Sequence, residues 1–410
     1  MKIRDIATEY VVSRSECIPL VASENSVSGA VKALCASDIS ERYCVGPDAP
    51  WRYPRETYLA EIVSKTGQLA TRIFGGKKTS VAPLSGSQCV AAIVLGACQP
   101  GDVVMGLSAA DGGHWALHSM ADRLQCRFEP LPLVSRSKID GDKLAQLIKK
   151  TSPKLVMVDP SHSVEPIAPE SIREVLPARI PLFYDISHFM GLVPHQYLTN
   201  PFGRGITALH GSTHKSFFGP QKGLIVFGDS AKASLVSGIS TVAEKILSSN
   251  THLHHVAALG QALEEYEMFG AAYAATVVKH ACLFAQTLKS KGLNVLSAQN
   301  AFTESHQVFV KVDGDVERIW HQLTAAGMLA NLVRPPREDS LGFRFGIAEV
   351  TRLGYGATEI EAAAAIAAGM INGAVDPERA KTAVKELATR PRSMKFCFEA
   401  GSDKLAVGRA

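Results

Sequence analysis

The stretch ITALHGSTHKSFFGPQKGLIVFG, residues 206–228, sets two apolar runs on either side of a short polar loop. Both runs, ITALHG (206–211) and GLIVFG (223–228), are largely apolar without a polar face, the pattern of strands covered on both sides. The loop between them, THKSFFGP (213–220), carries Lys215 directly behind a histidine, flanked by small hydroxyl residues and followed by Gly219 and Pro220. A surface lysine needs no such setting. A lysine that must lose its proton and bond a carbonyl carbon does, because desolvation and neighbouring positive charge lower its pKa.

Similar runs precede this one: TSVAPL (79–84), DVVMGL (102–107), CRFEPLPL (126–133), KLVMVDP (154–160) and IPLFYD (180–185). They alternate with helical patterns, the first over about 87 to 96. Such alternation predicts a three-layer α/β/α unit around a mostly parallel sheet, with right-handed crossovers. Ligands of such sheets bind beyond the carboxyl ends of the strands. After residue 228 the texture changes to a long helical stretch over about 231 to 292. A smaller α+β module follows, with QVFVKV (307–312), a helix over 317–326, FRFGIA (343–348) and an Ala-rich helix from 359 to about 370. The expected division is an N-terminal segment 1–30, a large α/β domain 31–275, a small C-terminal α+β domain 276–390 and a tail 391–410.

With 410 residues, 46% hydrophobic and 20% charged, the composition is that of a globular enzyme. The net charge of +4 comes without a dense Lys/Arg stripe and interleaved aromatics, which argues against a nucleic-acid binder. The apolar runs look shorter than a membrane span, and the polar start MKIRDIATEYVVSRSE is unlike a signal peptide, so a cytoplasmic location is expected. Eight cysteines without a CxxC pair suggest neither a zinc site nor a disulfide framework, and no metal is expected.

Candidate site residues fall at the ends of the expected strands. In SGSQ (85–88), Gly86 lets the backbone approach a ligand, while Ser85, Ser87 and the helix-start amides can bind an anion. The same four residues also suit a plain helix cap. In DGGHWAL (111–117), His114 can stack on a heteroaromatic ring or serve as a bonded loop histidine. In FYDISHFMGL (183–192), Asp185 ends a very apolar strand, where a carboxylate needs a cationic partner such as a protonated pyridine nitrogen. His188 lies three residues on. A phosphate loop, a stacking histidine, a strand-end acid and a loop lysine, in that order, have one joint explanation: they clamp pyridoxal 5′-phosphate, with Lys215 as its Schiff base.

The ordered set resembles the serine hydroxymethyltransferase family of fold-type I pyridoxal-phosphate enzymes, over about residues 17 to 369. The matching segments are IPLVASENSVS (18–28), LSGSQ, DGGHW, YDISHFMGLV, STHKSFFGPQKG and RFGIAEVTRLG (344–354). The resemblance implies that Lys215 carries the cofactor, Asp185 holds its pyridinium nitrogen, His114 stacks on the ring and His188 contacts the 3′-oxygen. Ser85, Gly86, Ser87 and His214 would lie near the phosphate and Ser161 beside the ring. Arg344 would bind the substrate carboxylate with Ser23 assisting, as suits a planar guanidinium. Tyr43 and Tyr53 would reach the active site of a neighbouring subunit, with Tyr53 also serving the substrate, and Asn250 and Thr251 would contribute phosphate contacts across the same interface. A homodimer with shared sites is implied, with a tetramer also open.

The chain departs from the family pattern on one side of the site. Val45 stands where a glutamate handles protons for folate-linked one-carbon transfer, and Asp48 and Glu24 are the nearest acids in sequence. Val333 replaces a folate-contacting asparagine, Ala109 and Trp115 replace leucines, Gln221 replaces an arginine, and SSNTH replaces a glycine-rich loop. Cofactor and carboxylate residues are kept while folate-side residues change. The expected activity is therefore folate-independent aldol or retro-aldol chemistry at Cα of a β-hydroxy amino acid such as threonine or serine, as an aldolase or, with a second aldehyde, a transaldolase. The alternatives are a hydroxymethyltransferase with an altered folate site, a racemase, β-eliminating lyase or aminotransferase, and a non-catalytic cofactor-binding protein.

Overall fold

The computed structural model describes residues 1–44 and 53–398. All seven apolar runs become strands of one sheet: β1 (Lys78–Ser80), β2 (Val103–Gly106), β3 (Arg127–Pro130), β4 (Leu155–Val158), β5 (Leu182–Asp185), β6 (Ala208–Ser212) and β7 (Gly223–Phe227). Their order across the sheet is β1-β7-β6-β5-β4-β2-β3. The pairs from β3 to β6 are parallel, whereas β7 runs antiparallel to both β6 and β1.

Side chains along these strands divide between two cores, one on each face. Met105, Val156, Val158, Leu182, Tyr184, Leu209, Leu224 and Val226 enter one cluster. Their chain neighbours Val104, Leu155, Met157, Phe183, Ala208, Ile225 and Phe227 enter the other. This two-residue alternation between two buried faces is why the strands carry no polar face in sequence. It is the three-layer α/β/α arrangement of a fold-type I enzyme.

A second, antiparallel sheet contains β8 (Asn294–Val295), β9 (Gln307–Lys311), β10 (Asn331–Val333) and β11 (Gly342–Gly346), in the order β10-β11-β9-β8. It has its own apolar core, which includes Val308, Val310, Phe343, Phe345 and the helix residues Ile360, Ala364 and Ala367. A separate two-strand pairing joins Ile18–Pro19 in parallel to Met328–Leu329, tying the N-terminal segment to this half. The eight cysteines are all free thiols.

The long helical stretch resolves into Ala233–Thr241, a π-helical turn Val242–Ile246, and one 38-residue helix, Leu253–Ser290. An 18-residue window of that helix has mean hydropathy 1.3, long and apolar enough to match a membrane span, where the sequence reading expected no such run. Its apolar side chains are used inside the protein. Val256, Leu259, Leu263, Tyr266, Tyr273 and Val277 pack into the core of the large sheet, and Ala281, Phe284 and Leu288 into that of the small one.

Candidate active site

Lys215 stands on the loop joining antiparallel β6 and β7. The Ser212–Gly223 pair closes the base of that loop, and the Gly219 N–H donates to the Thr213 carbonyl at 2.9 Å. Gly191 packs against the loop, and a Cβ placed on it would sit 2.3 Å from the Ser216 carbonyl oxygen. Asn25 Nδ2 donates to the carbonyl oxygens of Lys215 (2.8 Å) and Ser216 (3.1 Å). Burial lowers the Lys215 pKa, a trend that Arg344 reinforces and Asp185 opposes. His188 Nε2 lies 3.4 Å from Lys215 Nζ. His188 itself is buried and its ring stacks on His306, with centroids 5.9 Å apart. Burial, and then the charges of Lys215 and Arg344, keep the His188 pKa well below the ordinary value, so it is a neutral imidazole.

Asp185 is the last residue of β5 and is 7% exposed. One carboxylate oxygen accepts from the Ser187 N–H at 2.7 Å, and the other lies 3.8 Å from His210 Nδ1. His210 is fully enclosed and burial lowers its pKa, so it offers Asp185 no full positive charge. The buried carboxylate thus lacks a cationic partner among the described residues, which is the opening a protonated ring nitrogen fills.

The helix Gly86–Ala97 begins beside this acid. Ser85 Oγ caps it by accepting from the Gln88 N–H at 3.2 Å, so the cap reading holds. The amides of Gly86 and Ser87, in its first turn, stay unbonded among the described residues and are available to an anion. Gly86 has no room for a side chain, since a Cβ there would lie 2.5 Å from Ser212 Oγ. His214 keeps an unpaired, sealed Nδ1, and burial pushes its pKa down to about 4. Free helix amides, an unbalanced acid, a desolvated lysine and unpaired buried imidazoles together fit pyridoxal phosphate.

His114 caps the helix Trp115–Arg123, its Nδ1 accepting from the Ala116 N–H at 3.2 Å, and its ring stacks on exposed Trp115 at 5.3 Å. Burial lowers its pKa. The Ser161 carbonyl accepts from Gln307 Nε2 at 3.1 Å and from Arg344 Nη1 at 3.4 Å.

Arg344 lies on β11 between Phe309 and Asn331 in register, and it is 6% exposed. Asn331 Oδ1 accepts from both Arg344 Nε (3.2 Å) and Nη2 (3.0 Å). No carboxylate pairs with this guanidinium among the described residues, and burial pulls its pKa down to about 10. A buried cation held by neutral acceptors is poised for an external anion. Ser23 follows Ala22, whose N–H donates to the same Asn331 oxygen at 3.3 Å and whose carbonyl accepts from His306 Nε2 at 3.0 Å.

The remaining expected residues lie elsewhere. Tyr43 and Tyr53 are exposed and face each other with ring centroids 5.7 Å apart. Asn250 Nδ2 donates to the Arg42 carbonyl at 3.0 Å, beside Tyr43. The Thr251 carbonyl accepts from Lys222 Nζ at 2.8 Å, and Lys222 also donates to the Ala82 and Pro83 carbonyls, each at 3.3 Å. Val45 and Asp48 lie outside the described residues. Glu24 is paired with Arg14 at 3.1 Å. Val333 packs against the apolar cluster of Val164, Leu296, Ala298 and Phe309, and Gln221 is exposed.

Sequence reading missed five residues here. Asn331 and Gln307 orient the Arg344 neighbourhood, and only strand register brings them there. Lys222 stands where its apolar surroundings could have flagged it, as the second cation of the same loop. Asp159, at the end of β4, accepts from the Leu107 N–H at 3.0 Å, and burial raises its pKa well above the carboxylate range. His162, two residues beyond the run KLVMVDP (154–160), is the fifth.

Comparison with known proteins agrees with this geometry. The family model described as serine hydroxymethyltransferase matches residues 1–367. A serine hydroxymethyltransferase of Methanopyrus kandleri is 33% identical, covering 94% of this chain and 92% of its own length. That of Methanocaldococcus jannaschii is also 33% identical, covering 97% and 96%. The solved L-threonine transaldolase of Pseudomonas fluorescens, in its internal aldimine state, superposes with a TM-score of 0.90 at 28% identity, covering 97% of this chain and 93% of that one. A pyridoxal-phosphate-dependent transferase or lyase acting on amino acids follows, and the chain belongs to the serine hydroxymethyltransferase family.

Proposed function

We propose that this enzyme makes and breaks the Cα–Cβ bond of a β-hydroxy-α-amino acid such as threonine or serine, without tetrahydrofolate. The observation that carries the reading is Arg344, buried and without a carboxylate partner among the described residues, in electrostatic reach of a lysine whose own charge is disfavoured by burial. Arg344 would hold the α-carboxylate and Lys215 would carry the cofactor and release it to the α-amine. Asp185 would hold the ring nitrogen, His114 would cover the ring, and His188 would lie at its oxygen. Ser85, Gly86, Ser87 and His214 would hold the phosphate, with Ser161 beside the ring and Ser23 near the carboxylate. Pyridoxal phosphate, when bound, supplies the electron-withdrawing ring that makes cleavage at Cα possible.

The chain's own groups prepare that step. The loop that carries Lys215 delivers Nζ to His188 Nε2, and the neutral imidazole can orient Nζ through a hydrogen bond as it changes its bonding. Arg344, fixed through Asn331, sets the carboxylate and so the direction of the bond to Cβ. Val333 among apolar side chains, at the position of a family folate contact, supports a folate-free reaction. The likeness to a threonine transaldolase over nearly the whole chain supports it too. Exposed Tyr43 and Tyr53, with Asn250 bonded to the Arg42 carbonyl beside Tyr43, suit a homodimer with shared sites.

A second reading, hydroxymethyl transfer, has in its favour the names of the archaeal relatives. The test is the absorbance of the purified enzyme while threonine, serine and glycine are added without folate, with aldehyde release followed in parallel. Acetaldehyde from threonine is expected. Serine turnover that strictly requires tetrahydrofolate, with none from threonine, would transfer the assignment to hydroxymethyl transfer. Lys215→Ala should lose the absorbance of the lysine-bound cofactor altogether, and a variant that retained it would remove Lys215 from its role.

A further inference from the structure

His162 sits on the strip of backbone stitched between the two halves of the site. Its N–H and that of Ser161 both donate to the Gly112 carbonyl, at 3.0 and 2.9 Å, which ties it to the loop bearing His114. The Ser161 carbonyl bonds Arg344, which ties it to the small sheet. The His162 ring meets Phe309 edge-on at 5.8 Å, and Phe309 is the register partner of Arg344. The charged and titratable groups acting on this imidazole are Arg344, His114 and Lys215, and it acts in turn on His188.

Other imidazoles of the site are engaged or sealed. His188 Nε2 faces Lys215 Nζ and its Nδ1 is closed off. His114 Nδ1 caps a helix. His306 Nε2 bonds the Ala22 carbonyl and its Nδ1 is closed off. Among the described residues, neither ring nitrogen of His162 has a hydrogen-bond partner, and neither is sealed from solvent. A histidine kept only for packing on Phe309 has no use for two open nitrogens. A neutral imidazole offers one donor and one acceptor to a hydroxyl.

We propose that His162 recognises the β-hydroxyl of the substrate through a hydrogen bond to its neutral imidazole. This rests on the aldol reading above. A substrate with its carboxylate on Arg344 and its nitrogen where Lys215 Nζ stands has Cα between the two. The His162 ring, packed on the register partner of Arg344, is the neighbouring group with both nitrogens open.

The experiment compares holoenzyme with its His162→Ala and His162→Asn variants in two readouts. The first is binding, as the ratio of affinities for L-serine and L-alanine, with glycine as the reference lacking Cβ. Wild type should prefer serine by roughly 3- to 10-fold, the range of one net hydrogen bond. His162→Ala should lose that preference while glycine affinity holds within about twofold, and His162→Asn should keep part of it. The second readout is threonine cleavage, whose kcat/KM is expected to fall by roughly the same 3- to 10-fold in His162→Ala and by less in His162→Asn. A serine preference unchanged in His162→Ala, or glycine and serine affinities falling together, would overturn the proposal. No cleavage of any β-hydroxy amino acid by wild type would overturn the aldol reading, and the binding ratio would then decide recognition by itself.

Discussion

Arg344 is the residue whose setting says most about the substrate. In sequence it is an arginine on a strand that could face solvent; in the fold it is enclosed, with Asn331 accepting from two of its nitrogens. Its charge is therefore oriented but not neutralised. Arg344→Ala should weaken glycine binding by about 2–4 kcal/mol, or ~30- to 1000-fold, the scale of losing two charge-assisted hydrogen bonds. Arg344→Lys should recover little, because a point charge cannot reproduce the fork that grips a carboxylate. Unchanged glycine affinity in the alanine variant would move the carboxylate site elsewhere. Lys215 and Asp185 were legible because each stands against an apolar strand that makes a lone charge conspicuous, whereas Arg344 stood out only through the resemblance of RFGIAEVTRLG to the family. His162, Asn331 and Lys222 were not legible. Their significance comes from neighbours far away in sequence, which no local pattern encodes.

The strand–loop–strand unit β6–Lys215–β7 depends on a glycine outside itself. Gly191 lets the 216–217 backbone lie closer than any side chain would permit, and its N–H donates to Ser216 Oγ at 3.1 Å. Gly191→Ala must push that backbone away and carry the lysine with it. The expected cost is about 1–3 kcal/mol of stability, with weaker cofactor capture. Urea unfolding and cofactor titration of the variant would check both, and a variant matching wild type in each would show that the loop can yield. The five inner strands, β2 and β4 to β7, were visible as apolar runs because both their faces are buried. The edge strands β1 and β3 are partly exposed and were flagged only by the apolar residues that flank or interrupt them. Strand direction was not visible, since an apolar run has none. The reversal of β7 against β6 had to come from the structure. The helix expected over 87–96 extends by one residue at each end, to Gly86–Ala97, as the Ser85 cap dictates.

At the scale of the whole molecule, the enclosed histidines set the response to acid. Burial pushes His162 and His306 down to about 3 and His214 to about 4, against an ordinary value of 6.5, and His188 lies well below it too. The unfolded chain takes up protons near pH 6.5 that the folded chain refuses until far lower pH. Stability is therefore fully present well above 6.5 and declines as pH falls through it toward about 4 and below, by on the order of 2 kcal/mol per such histidine at pH 5. Denaturant midpoints of the cofactor-free protein at pH 8, 6.5 and 5 should fall slightly over the first interval and several times more over the second. A flat response down to pH 5 would mean that these imidazoles are not held neutral.

The placement of the two sheets has a consequence for how such an enzyme can change. The lysine loop, the strand-end acid and the helix cradle all stand on the large sheet, while the guanidinium for the amino acid stands on the small one. A slight re-tilting of the small sheet would alter which amino acid is gripped, and at what angle, without disturbing a single group of the cradle. Taste and tool are carried on separate frames, so a lineage can exchange the first while inheriting the second intact.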